Sequence, residues 1–157
     1  MDFKISPQLD DLRQRTRAFV DEHVIPLESD PANYDEYENI DLDVLETVRV
    51  KARKAGLWAP QSPKEFGGMG RPIVAWAPIY EEAARAIFGP LAIHCMAPDD
   101  GNMNLLARAG TPAQKEKWLR PIVEGKVRSA FAMTEPHPGS GSDPGMMLTR
   151  AEKKGDR

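Results

Sequence analysis

Apolar positions recur at helical spacing along most of this chain and change pattern only towards its end. Leu9, Leu12, Thr16, Phe19, Val20 and Val24 share one face of a 3.6-residue repeat, with charges opposite. Ser6 stands at an N-cap position and Pro7 at the first helical position, so a helix is predicted from there until Pro26 ends it. Residues 29–39, with Pro31 and a run of acids around Tyr34 and Tyr37, read as a solvated loop with a short turn. A second helix is expected to begin at Asp43, with Glu46 placed for a capping box. Its stripe is Leu45, Val48, Ala52 and Ala55, closed by Gly56. Residues 57–70 are punctuated by proline and glycine yet keep large aromatics, so they form either a loop folded over its own core or one wall of a cleft. A third helix over residues 72–86 would turn Ile73, Trp76, Tyr80, Ala83, Ala84 and Ile87 inward, with Pro78 kinking it or displacing its start. An apolar piece at residues 91–96 follows. After an interruption at residues 97–102, helical spacing resumes from Met103 to Gly110. Thr111-Pro-Ala-Gln114 reads as a capping box opening a last helix with Trp118, Leu119 and Ile122, which stops near Gly125.

From Val127 the pattern changes. Residues 129–133 are small and apolar around Phe131, which predicts a strand. The strand breaks into Thr134-Glu-Pro-His-Pro-Gly-Ser-Gly-Ser-Asp143. There the prolines favour turns, while Gly139 and Gly141 let a ligand approach the backbone. Such a loop is either an anion cradle built from successive N–H groups or an ordinary polar turn. Residues 147–153 suggest a second strand. Two strands cannot form a stable sheet alone, so they either dock on the helices or open a longer β region. The organisation expected is a helical domain over residues 1–126 and the start of a β domain over residues 127–157.

Composition narrows the classes. The 157 residues, 41% hydrophobic and 29% charged, are those of a folded globular chain. A net charge of −3 offers no basic footprint for nucleic acid or an anionic membrane, and no apolar run approaches a membrane span. The opening Met-Asp-Phe-Lys lacks the apolar core of a signal peptide. One cysteine, Cys95, leaves no internal disulfide and suits a reducing compartment, so the expected location is cytoplasmic. His94, Cys95, Asp99 and Asp100 are metal-ligating types, but no second spaced pair completes a set, and polar structure is the preferred reading. Cys95 reads as a core residue, as do Trp58, Trp76 and Trp118. Around Ser140 there is no nucleophile elbow. No Lys follows the glycines as in a P-loop, and Pro144 breaks the dinucleotide-binding spacing.

Four stretches together carry a resemblance that no single motif does. They are Gly56-Leu-Trp with Glu65-Phe-Gly-Gly-Met-Gly70, residues 111–125 with Gln114-Lys-Glu-Lys-Trp-Leu, residues 131–143, and the closing Gly155-Asp156. In this order they resemble the N-terminal portion of the acyl-CoA dehydrogenase family of flavoproteins. Pro98-Asp-Asp-Gly-Asn-Met103 is similar to a subgroup with Pro-Asp-Thr-Gly-Asn-Met there. The resemblance implies an N-terminal helical domain, a middle β domain and a C-terminal four-helix bundle, with FAD and an acyl-CoA thioester between them. The implied reaction is α,β-dehydrogenation: a carboxylate takes the α-proton while a hydride leaves the β-carbon for the flavin. By the match, Phe131, Met133 and Thr134 would touch the flavin ring, and Gly141 and Ser142 the pyrophosphate side. Ser142 would also meet the thioester. The family form Thr-Glu-Pro-Gly-x-Gly-Ser-Asp is interrupted here by His137-Pro138, so Ser140 and Ser142 depend on how that insertion bulges. No acid present matches the family's base, which is expected beyond Arg157 with the second flavin-contacting strand and the oligomer-forming bundle. The resemblance implies electron-transferring flavoprotein as acceptor for the intact enzyme and a homo-oligomer only at full length. The rival readings are a non-catalytic helical interaction module, or a related acyl-CoA oxidase or nitroalkane oxidase.

Overall fold

The computed structural model describes residues 4–155, and helices carry the architecture among them. Helix α1 spans Pro7–His23, with Ser6 Oγ accepting from the Leu9 N–H at 3.3 Å as an N-cap should. The helix stops at His23, three residues short of Pro26. Pro26 enters the first turn of a short α2, Ile25–Glu28, where no N–H is required. A 3₁₀ turn, Pro31–Asn33, follows, capped by Asp30. Helix α3, Leu42–Lys54, starts earlier than expected because Asp41, not Asp43, accepts from the N–H groups of Asp43 and Val44. Glu46, freed from capping, pairs with Arg53 at 2.7 Å. Residues 57–70 then fold over the core, burying Leu57, Trp58, Ala59 and Phe66. Gly68 is required there, since a Cβ would sit 2.3 Å from the Ser62 carbonyl oxygen.

Helix α4, Ile73–Ala83, contains Pro78 and packs against α1. Its inward face differs from the expected one. Ala75, Ile79, Glu82 and Ala83 are buried, while Ile73 and Ile87 are exposed and Trp76 is half-buried. Glu82 explains the shift. Only 2% exposed, it accepts from Arg13 at 3.2 Å and Arg17 at 2.8 Å, and Arg85 stands 3.7 Å away, so a charged residue occupies the inner face. A short α5, Gly89–Ala92, replaces the apolar piece, and α6, Asp99–Ala109, begins four residues before the expected Met103. Asp99 and Asp100 in its first turn suit the positive end of the helix dipole. Thr111 and Gln114 form the predicted capping box, with both reciprocal bonds present, at the start of α7, Pro112–Gln114. A π-helical turn, Lys115–Leu119, leads into α8, Arg120–Val123. Pro121 accounts for that turn: its ring would clash with the carbonyl four residues back, and the Arg120 N–H reaches instead to Lys115 O. The turn leaves Leu119 fully buried and Trp118 45% exposed, so of the three tryptophans Trp58 alone is a core residue.

The expected strands did not form. Among the described residues there is no ladder, only isolated antiparallel bridges between Tyr34 and Ile40 and between Glu135 and Gly141. The donors that a ladder would use are taken by side chains: the Ser129 N–H by Asp99, and the Leu148 and Thr149 N–H groups by Glu135. Of the stretches singled out in the sequence, residues 1–3 and Asp156 lie outside the described residues.

Candidate functional site

The segment bearing the expected site leaves the helical body through a tightly held joint. Three side chains donate to consecutive carbonyls at the end of α8. His94 Nε2 meets Ile122 O at 2.6 Å, Trp58 Nε1 meets Val123 O at 2.8 Å, and Arg53 Nη2 meets Glu124 O at 3.0 Å. His94 stacks on Trp58 with ring centroids 4.6 Å apart, and the Arg53 guanidinium lies 3.9 Å from the Trp58 ring centroid. Burial lowers the His94 pKa, which keeps the ring neutral with its Nε2–H as donor. His94 is therefore structural, and burial pushes the Cys95 thiol well up, away from nucleophilic use. No group of three described His, Cys, Asp or Glu residues could hold a metal.

Beyond the joint, the first turn of α6 holds residues 128–130. Asp99 Oδ1 accepts from both the N–H and the hydroxyl of Ser129 at 2.7 Å, and Oδ2 accepts from Arg128 Nε at 3.2 Å. Asn102 Nδ2 donates to Ser129 Oγ at 2.8 Å and Ala130 O at 3.3 Å. Burial raises the Asp99 pKa, but the Ser129 bonds and the Arg128 charge outweigh it and hold the carboxyl below the usual range.

Residues 131–143 follow. Phe131 is 69% exposed, Met133 is half-buried, and Thr134 and Ser142 are exposed with neither hydroxyl bonded among the described residues. Gly141 sits at φ +59° with open space where a Cβ would be. The expected flavin-facing residues thus present an aromatic face, two free hydroxyls and an approachable glycine. Beside them lies a groove of about 290 Å³ lined by Asn102, Leu105, Leu106, Trp118, Ile122, Ser129 and Ala130. A larger groove of about 670 Å³, lined by Tyr34, Phe88 and Leu91 among others, contains none of the expected site residues.

The sequence missed Glu135. Its carboxylate accepts from the N–H groups of Ser140 at 3.1 Å, Leu148 at 2.9 Å and Thr149 at 2.6 Å, and from the Thr149 hydroxyl. Those bonds, the Leu148 amide foremost, bring its pKa down to about 2. Within the loop only the Ser140 N–H meets this carboxylate, and the other two amides come from beyond it. No spacing rule signals this, because two of the amides lie 13 and 14 residues downstream. The Thr134 hydroxyl, the Phe131 ring and the space beside Gly141 stay open to a ligand.

Comparison with known proteins bears on the helical body. Residues 6–126 match the family described as acyl-CoA dehydrogenase, N-terminal domain. A Mycobacterium tuberculosis protein described as "Probable acyl-CoA dehydrogenase FadE2" is 38% identical over 144 residues, covering 87% of this chain and 34% of its own length. A solved Mycobacterium abscessus protein assigned as an acyl-CoA dehydrogenase superposes with a TM-score of 0.74 at 36% identity, over 86% of this chain and 36% of that one. Butyryl-CoA dehydrogenase from Megasphaera elsdenii superposes at 0.62 with 26% identity, over 88% and 35%. The chain therefore spans about a third of the length of these relatives. It belongs to the acyl-CoA dehydrogenase family, whose N-terminal helical domain it carries.

Proposed function

We propose that this chain provides one flank of the site of a FAD-dependent acyl-CoA dehydrogenase acting in the cytoplasm. The observation that carries this reading is the family's Thr-Glu-Pro segment standing out from the helical body with Phe131 and Thr134 exposed and unpartnered. The bound flavin would supply the hydride acceptor for α,β-dehydrogenation, with electron-transferring flavoprotein receiving the electrons in the intact enzyme. Phe131 and Met133 would pack on the flavin ring, Thr134 would hydrogen-bond to it, and Gly141 would admit the pyrophosphate side. Ser142 would meet both cofactor and thioester. Neither carboxylate bound to this segment suits the role of base. Glu135 is fixed as an acceptor with a pKa of about 2, and Asp99 is held ionised by Ser129 and Arg128. The base must come from residues other than these.

FAD added to the isotopically labelled chain should shift amide resonances at residues 131–142, and Phe131→Ala and Thr134→Ala should each weaken the titration severalfold. The chain alone should not oxidise an acyl-CoA with an artificial acceptor. Shifts spread evenly over the helical body would sink the cofactor reading, and turnover would sink the reading that this chain supplies only one flank of the site. One observation favours a second reading, a non-catalytic interaction module: Leu105, Trp118, Val127 and Phe131 leave apolar surface open around the emergent segment. That module would bind a dye for exposed apolar surface and show no response to FAD.

A further inference from the structure

We infer that Asp99 and Asn102 are positioning residues that aim the 131–134 segment at its ligand; this rests on the flavin reading above. The geometry is specific. Ser129 Oγ accepts from Asn102 Nδ2 at 2.8 Å and donates to Asp99 Oδ1 at 2.7 Å, so one hydroxyl is fixed from both sides. The Ser129 N–H goes to the same carboxylate oxygen at 2.7 Å, and the Ala130 carbonyl accepts from Asn102 at 3.3 Å. Main-chain groups of two consecutive residues are therefore tied to a single helical turn. Phe131 is the next residue and Thr134 lies three further on.

Two features separate this from ordinary helix capping. Both Asp99 oxygens bond to residues 128–129, and no side-chain cap bond is present at the start of α6. Asp99 is only 3% exposed, while Arg128 and Ala130 are exposed. A buried carboxylate thus acts on a stretch that packing leaves free. Loss of either partner should leave the helical body folded while residues 129–134 lose a fixed direction, and a site in which hydrogen bonds and stacking must coincide tolerates little such loss.

Hydrogen exchange on the chain without ligand reads the clamp directly. In Asp99→Ala, exchange of the Ser129 amide should accelerate at least tenfold, with Leu119 and Val123 unchanged. Asn102→Ala should loosen the same stretch less. Ser129→Thr, which keeps the hydroxyl, should stay near wild type, and Ser129→Ala should not. In the resonance titration, Asp99→Ala and Asn102→Ala should each weaken FAD binding at least threefold. Combined with Phe131→Ala, the losses should fall short of additive, because the clamp acts through that ring. Unchanged Ser129 exchange in Asp99→Ala overturns the clamp. Faster exchange with unchanged FAD binding, while Phe131→Ala still weakens it, overturns the positioning role and leaves the flavin reading standing. A wild-type chain that gives no FAD shifts overturns the flavin reading and the positioning role with it. Should Asp99→Ala fail to fold, Asp99→Asn with Ser129→Ala carries the same comparison.

Discussion

Glu82 and Glu135 both gather several donors on one carboxylate, in opposite surroundings. Glu82 lies inside the helical body and is met by two arginines reaching in from α1 and by Arg85 just past the end of α4. Glu135 lies in the emergent segment and is met by three main-chain amides from two places along it, Ser140 and the adjacent Leu148 and Thr149. In the body, apolar burial brings the helices together, and the ion cluster fills a place that packing has already made. In the segment no such burial exists, and carboxylates stand in for the neighbouring strand that would otherwise take those amides. The same chemical group is thus an accessory to order in one region and its source in the other.

Substitutions should separate the two roles. The largest effect is expected in the body: Leu119→Ala, at a fully buried position, should cost about 3 kcal/mol, read from the urea midpoint. Glu82→Ala should cost about 2 kcal/mol. That is less than breaking a wholly buried pair, because its arginines are 31–52% exposed and can return to water. If Leu119→Ala proves neutral, the body is not held by burial and the contrast fails. Glu135→Ala should leave the urea midpoint unchanged while the Ser140, Leu148 and Thr149 amides exchange at least fivefold faster; a lowered midpoint would make the two regions one cooperative unit.

Acid should act on the segment in the same direction. The Glu135 pKa is lowered on folding from 4.5 to about 2, so the order it confers is complete above the higher value and is lost as pH falls through the lower one. Protection of the Leu148 and Thr149 amides should therefore decline progressively between those limits, measured by exchange at stepped pH. The smallest effect should come from Phe131→Ala, within about 0.5 kcal/mol of wild-type stability, since its ring is mostly in water.

The helical body was largely legible in the sequence because its signals are local. Ser6-Pro7, the Thr111–Gln114 box and the stripe of α1 and α3 each lie within a turn or two of what they specify. Failures came where a distant group intervened. Glu82 rotated the inner face of α4 because the arginines that satisfy it lie 65 and 69 residues away. Asp99 reads in the sequence only as polar structure, because its partner Ser129 is 30 residues on. The strands were read from composition, but a strand needs an edge to pair with, and among the described residues none is offered. Of the expected site residues, Phe131 and Thr134 stand exposed, and the order of motifs named the family. The bonds from Asp99 and Asn102 that hold Ser129 and Ala130 have no local signature.

The joint at Ile122, Val123 and Glu124 has a mechanical consequence. A chain gripped at one point can swivel about it, whereas a chain gripped at two cannot without bending between them. The grips on carbonyls 122–124 and on Ser129 act as two supports a short span apart. Past Ala130 the hydrogen bonds among the described residues lie within the segment itself, so these two supports are what set its heading from the helices.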